Sequence, residues 1–62
     1  MNNVKTTKVN VNGTERTVRS LRSQLRPMWL VTVSGWNFNY PITITRERAE
    51  ELAVAQYIEE QE

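Results

Sequence analysis

The chain has 62 residues, no cysteine, no histidine and a formal net charge of +1. This length is enough for one domain, which buries only about 60% of its unfolded surface, so a partner or a second copy is expected to add stability. The absence of cysteine excludes disulfides and zinc–thiolate sites, and it favours a reducing cytoplasm. No apolar run approaches the ~20 residues needed to cross a bilayer, and the N-terminus has no signal-peptide pattern, so no membrane partner is expected.

The small net charge conceals two halves of opposite sign. Residues 1–31 carry six basic residues and one acidic residue, whereas residues 32–62 carry two basic and six acidic residues. Such polarity can steer the approach of a charged partner, although it does not determine the fold.

Residues 4–18 are predicted to form a first β-hairpin. Asn12-Gly13 is a strong turn signal, because a type I′ turn needs positive φ at both central residues. A two-residue loop pairs Val11 with Thr14, Val9 with Arg16, and Thr7 with Val18. The first strand is expected at the sheet edge, and residues 1–3 are expected to fray.

Residues 19–27 form a basic connector. Ser20 is a possible cap for a short helical turn that Pro27 would end. In that case three arginines share one side, with Leu21 and Leu25 toward the body: Arg19, Arg22 and Arg26. In an irregular loop, which is the alternative, the same arginines have no common direction.

Residues 28–44 have the most regular pattern and are predicted to form a second hairpin. Large apolar side chains alternate with polar ones from Trp36 to Ile44, which is typical of a strand with one buried face. With Ser34-Gly35 as the loop, the pairs are Val33 with Trp36, Val31 with Phe38, and Trp29 with Tyr40. All six side chains then point to one face, so the aromatic rings are expected to form the core.

A C-terminal helix is predicted over residues 45–60, with Thr45 as N-cap and Glu47 in the first turn. The stripe expected to pack on the aromatic face of the sheet comprises Ala49, Leu52, Ala53, Gln56 and Tyr57. The fold class is therefore α+β, with two antiparallel hairpins forming one small sheet and the helix packed on one face.

Two apolar residues of the helix, Val54 and Ile58, lie outside that stripe, beside Glu47 and Glu51. One interpretation is that they are isolated exposed apolar residues, which are common on protein surfaces. The other is that they form an acid-rimmed apolar strip that contacts a partner or a second copy of the chain.

The residue types needed for catalysis are scarce. Histidine, the commonest general base and metal ligand, is absent. The acids are expected on a solvated helix surface, and two glycines are too few for a phosphate-binding loop. The sequence predicts a protein that is not an enzyme, with no catalytic residue, cofactor or metal site.

Direct nucleic-acid binding is an alternative function. Arg16, Arg19, Arg22 and Arg26 are able to neutralise several phosphates, with Lys5 and Lys8 nearby. Aromatic rings can stack on bases, but the strict alternation of these rings with Ile42 and Ile44 favours the core. The near-neutral total charge is also low for a nucleic-acid binder.

Part of the chain, residues 29–57, resembles the small host RNA polymerase inhibitors of T7-like phages. The likeness is carried by Val31-Thr-Val33, Phe38, Pro41-Ile42, Ala49-Glu-Glu-Leu-Ala53 and Gln56-Tyr57. It implies a compact α+β protein, located in the host cytoplasm, that binds the polymerase and blocks productive promoter complexes. In that family a strand after the helix carries the arginines that contact the polymerase, whereas in this chain most arginines precede the helix, so any contact they make is inferred from charge.

The leading hypothesis is a phage-type, non-enzymatic protein that inhibits a host machine handling nucleic acid, with bacterial RNA polymerase as the specific partner. The alternatives are a DNA- or RNA-binding module that uses the connector, and a small homodimeric interaction protein. The predicted partner-binding residues are Arg16, Arg19, Arg22, Arg26, Glu47, Glu51, Val54 and Ile58.

Overall fold

A computed structural model describes residues 4–61. The elements are β1 (Lys5–Val11), β2 (Thr14–Arg22), β3 (Met28–Val33), β4 (Trp36–Pro41) and α1 (Arg46–Gln61). The strands form one antiparallel sheet in the order β1-β2-β3-β4, and α1 packs on one face. The predicted α+β class is confirmed. The expectation that residues 1–3 fray concerns residues outside the described range.

Both hairpin turns have the predicted two-residue loops. Asn12 and Gly13 adopt φ of 52° and 82°, and Ser34 and Gly35 adopt 49° and 89°. Positive φ at both central positions matches the right-handed twist of the flanking strands. The six residue pairs predicted for the two hairpins are all present, and β1 is an edge strand as expected.

Of the two interpretations of the connector, the helical turn is wrong, and residues 23–27 form an irregular loop. β2 continues through Arg22, and Ser20 lies inside the strand opposite Val31. Pairing with β3 satisfies backbone groups that an isolated helical turn would leave unpaired, so the strand is favoured. The connection is a loop over residues 23–27, in which the Ser23 hydroxyl accepts hydrogen bonds from two backbone amides, those of Leu25 and Arg26, each 3.2 Å long.

The second hairpin is shorter than predicted, because β4 ends at Pro41 and not at Ile44. The apolar alternation continues through a turn in which the Ile44 amide donates to the Pro41 carbonyl at 3.4 Å. The helix follows directly. Thr45 is its N-cap as predicted, since its hydroxyl accepts a 3.1 Å hydrogen bond from the Arg48 amide.

The core lies between the middle of the sheet and α1. Its buried members are Val11, Val18, Val31, Val33, Ala49, Ala53 and Tyr57. The aromatic rings of the second hairpin border this cluster and do not form its centre: Trp29, Phe38 and Tyr40 are half-buried, and Trp36 is 46% exposed. The prediction that the rings share one face is confirmed, and three of them pack against the core cluster. The expectation that the rings form the core itself is wrong. For the three rings on β4, the physical reason is the position of α1, which lies mainly over β3 and leaves β4 at the margin.

Candidate protein-binding groove

The width of one helix leaves part of the sheet uncovered. Four strands spaced about 4.8 Å apart span about 14 Å between the outer backbones, whereas a helix with its side chains is about 10 Å across. Because α1 lies mainly over β3, the described residues cover the helix-side face of β1 only in part: Val11 is buried, whereas Thr7 and Val9 are half-buried. An open groove runs there between α1 and the edge of the sheet.

The groove is apolar in its floor and in one wall, and it has a volume of about 490 Å³. Its lining residues are Thr7, Val9, Val18, Glu47, Glu50, Glu51, Val54, Ala55 and Ile58. The valines and Thr7 come from the sheet, and the remaining residues come from successive turns of α1. This volume lies within the range of sites that enclose a small ligand or a few side chains, roughly 300–1,000 Å³.

At the opposite margin of the sheet, the hollow beside Tyr40 is smaller, about 290 Å³, and three of its six lining residues are Gln56, Glu59 and Glu60. Large side chains occupy part of this margin. Trp36, Phe38 and Tyr40 project from β4 beside the helix. The Trp36 ring meets Tyr57 edge to face, with ring centroids 6.3 Å apart and planes at 82°. The Tyr40 hydroxyl donates a 3.0 Å hydrogen bond to Gln56 Oε1. The corresponding positions on β1 carry the smaller Thr7 and Val9, so the groove results from side-chain size at one edge.

Val54 and Ile58 lie in this groove beside Glu47 and Glu51, the neighbours that helical geometry predicts. They are not on a fully exposed surface, however, since both are half-buried and contact the core. The buried stripe of α1 is rotated relative to the prediction. Gln56 is exposed, while Arg46 and Glu50 turn toward the sheet.

Polar side chains close the end of the groove near the helix N-terminus. The fully buried Ser20 donates a 2.6 Å hydrogen bond from its hydroxyl to Glu50 Oε2. Lys5 Nζ lies 3.8 Å from carboxylate oxygens of both Glu47 and Glu50. The Arg46 guanidinium donates to the Ser20 carbonyl at 3.0 Å and lies 5.3 Å from the centroid of a Trp29 ring. This cluster fixes the start of the helix against β2 and β3.

Glu50, Thr7 and Val9 line the groove but are not among the residues predicted to bind a partner. A signal for Glu50 was present, because it lies one residue after Ala49 and four before Val54, on the border of the apolar stripe. No signal in the sequence indicates which flank of the helix faces β1, since that depends on how α1 is placed across the sheet.

The four predicted arginines do not form one patch. Arg19 faces the side of the sheet away from α1, while Arg16 and Arg22 face the helix side, six residues apart along β2. Six residues of strand correspond to about 20 Å. Arg22 and Arg26 border a shallow hollow of the 23–27 loop, next to Leu25, which is 93% exposed. Only this pair shares a surface.

Within residues 4–61, no group of three or more acidic side chains is arranged to hold a metal ion. No helix in this described part combines the length and the apolar character needed to cross a bilayer.

The chain matches no protein-family model, no curated protein and no solved structure.

Proposed function

We propose that this protein is a non-enzymatic binding domain that acts by covering a surface of another protein, and that the groove between α1 and β1 is its contact site. The observation that carries the proposal is the open apolar groove with two exposed glutamates, Glu47 and Glu51, on its rim. A contiguous apolar surface with a polar rim is typical of protein–protein contact sites. Four of the eight residues predicted to bind a partner line it: Glu47, Glu51, Val54 and Ile58.

The groove favours a protein partner over nucleic acid. Its rim glutamates repel phosphates, and its floor offers valines in place of cations. The dispersed arginines also provide no continuous basic track along the sheet, because Arg19 lies on the opposite face from Arg16 and Arg22. Direct DNA or RNA binding through the connector is therefore the weaker candidate.

The specific partner we propose is bacterial RNA polymerase, and the proposed effect is inhibition in the host cytoplasm by steric and electrostatic occlusion. Support comes from the likeness of residues 29–57 to phage inhibitors of that enzyme. The acidic half of the chain adds to this support, because a negative surface competes well for the basic channels of a nucleic-acid-handling machine.

The test is binding to purified bacterial RNA polymerase, with transcription from a promoter as the second readout. Ala55 is exposed at the outer margin of the groove, so Ala55→Arg adds bulk and charge at this margin without removing a buried contact. Leu25→Arg places the same charge on the exposed 23–27 loop and serves as the matched control. The expected result is binding that Ala55→Arg weakens at least ~10-fold, about 1.4 kcal/mol, and that Leu25→Arg leaves unchanged.

Two results contradict this proposal. One is the absence of any polymerase binding by the wild-type protein. The other is binding to DNA alone that falls steeply with salt and is lost when Arg22 and Arg26 are changed to Ala, which would establish the nucleic-acid alternative.

A further inference from the structure

The groove borders the free edge of the sheet. β1 is the first strand in the order β1-β2-β3-β4, and Thr7 and Val9 contribute to the groove floor. Whatever fills the groove therefore lies beside a strand whose outer backbone groups have no partner strand within residues 4–61. The apolar surface and the unpaired backbone are adjacent parts of one site.

The hairpin register shows which backbone groups of β1 face outward. The pair that flanks a two-residue loop exchanges both of its hydrogen bonds, and the pattern alternates from there. Val11 and Thr14 flank the first loop. The amides of Val9 and Thr7 therefore point toward β2, and those of Asn10, Lys8 and Thr6 point away from the sheet.

The other edge of the sheet is less suited to an added strand. By the same register, the outward-facing positions of β4 are Asn37, Asn39 and Pro41. Pro41 has no amide hydrogen, and prolines at sheet edges oppose the addition of another strand. In β1 all three outward-facing residues carry an amide donor, over a strand of seven residues.

We infer that the groove binds an extended segment of the partner protein, which adds to the sheet as a fifth strand along β1. Alternate side chains of that segment enter the groove between β1 and the Val54–Ile58 flank of α1, so they are apolar. A basic residue on the segment matches the rim, where Glu47 and Glu51 have side chains 71% and 69% exposed. Their pairs with Lys5 and Arg48 are exposed and weak, so they yield easily to a new cation.

This inference rests on the proposed function in requiring a protein partner, and it adds the mode of binding. It requires backbone hydrogen bonds, which distinguishes it from the docking of a helix or of a compact surface in the same groove. It also makes the outer amides of β1 part of the site, although the side chains of those residues lie on the opposite face of the sheet.

The test uses the 62-residue chain and a synthetic peptide probe in which valine and threonine alternate and a lysine stands at each end. Amide hydrogen exchange, followed by NMR, should show slower exchange on peptide addition at Thr6, Lys8 and Asn10. The amides of Thr7 and Val9 should change little, because they are already bonded to β2. Protection with no such alternation, or no protection of the three outward amides, overturns the inference.

A matched pair of variants tests the backbone contact on the protein side. Lys8→Pro removes an outward amide and an exposed ion pair with Glu15, but no hydrogen bond to β2. Asn39→Pro makes the equivalent change on β4. For Lys8→Pro, peptide affinity should fall at least ~10-fold, which corresponds to about 1.4 kcal/mol. For Asn39→Pro it should stay unchanged. Equal affinity of Lys8→Pro and wild type overturns the inference.

Two N-methylated forms of the peptide make the test independent of protein folding. Alternate amides of an added strand face β1, so methylating one alternate set should abolish binding and methylating the other should not. If binding is lost on methylation of either set of amides, or is retained in both cases, strand addition is wrong. Concentration-dependent dimerisation that protects Thr6, Lys8 and Asn10 without peptide also overturns it, because the strand would then come from a second copy.

The polymerase experiment separates this inference from the proposed function. If Ala55→Arg weakens polymerase binding and Lys8→Pro does not, strand addition is wrong and the proposed function stands. If the peptide binds as expected and the polymerase does not, the binding mode stands and the proposed partner is wrong.

Discussion

The Ser20 hydroxyl donates a 2.6 Å hydrogen bond to Glu50 Oε2, which joins β2 to α1 across 30 residues of sequence. Ser20 is fully buried, and the Glu50 side chain is only 14% exposed. Hydrogen bonds to a charged group contribute about 1.5–3 kcal/mol to stability. A buried acceptor that loses its donor destabilises the folded state, because its desolvation is no longer compensated. This contact is therefore expected to be among the strongest polar links between the sheet and the helix.

Ser20→Ala should lower the free energy of unfolding by about 1.5–3 kcal/mol, because the Glu50 carboxylate keeps its burial and loses its donor. Chemical denaturation measures the change. Thr32→Ala is the matched control, since its hydroxyl donates to Asn37 on an exposed surface, and it should cost well under 1 kcal/mol. Equal effects of the two variants would mean that burial adds nothing to the Ser20–Glu50 contact.

The close approach of α1 to β3 should not tolerate a larger side chain at position 53. Ala53 has no exposed surface, so Ala53→Leu overpacks the interface and should cost about 1–3 kcal/mol. Ala55→Leu on the exposed flank of the same helix should change stability by less than about 0.5 kcal/mol. Thermal and denaturant unfolding of both variants provide the comparison, and a stable Ala53→Leu would show that the helix is able to move away from the sheet.

The loop of the second hairpin should respond in opposite directions to two substitutions. Gly35 has φ of 89° and no neighbour within 4 Å of a Cβ, so Gly35→Ala tests backbone strain alone. It should cost about 1–2 kcal/mol. Ser34, at φ 49°, should accept Asn with a gain of a few tenths of a kcal/mol, because Asn favours this conformation. Stabilisation by Gly35→Ala would exclude the type I′ turn.

Tyr40 should make stability depend on alkaline pH. Burial raises the pKa of its hydroxyl above the ordinary value of 10.0, because desolvation disfavours the phenolate. The folded state thus holds the proton more tightly than the unfolded state, so this contribution to stability is complete below pH 10 and is lost as pH rises through the folded-state pKa. The ratio of unfolding constants for wild type and Tyr40→Phe, measured across this range, should change with pH, and a constant ratio would contradict the shift.

The hairpins and the helix were predictable because local rules determine them. Asn12-Gly13 and Ser34-Gly35 define the turns, strict alternation defines the face of each strand, and Thr45 caps the helix. The connector was not predictable in the same way. Ser20 fits a cap by residue type, but the pairing of β2 with β3 places it in a strand, and this competition is decided by tertiary contacts.

The candidate site was predictable only in part. Helical spacing brings Val54 and Ile58 together with Glu47 and Glu51. That this flank faces β1, and that Thr7 and Val9 complete the groove, follows from the position of α1 over β3. The exposure of Trp36 has the same origin. Sequence periodicity gives the direction of a side chain relative to its own element, but it does not give the position of one element on another.

The strand order follows the chain order, and this has a kinetic consequence. Each strand pairs with its neighbour in sequence, so the sheet can grow by successive local steps that require little loop-closure entropy. Docking of α1 is the step that depends on distant contacts, such as those of Ala53 and Tyr57 with the sheet. Substitutions in the helix should thus accelerate unfolding more than they slow folding, whereas substitutions in the two turns should act mainly on the folding rate.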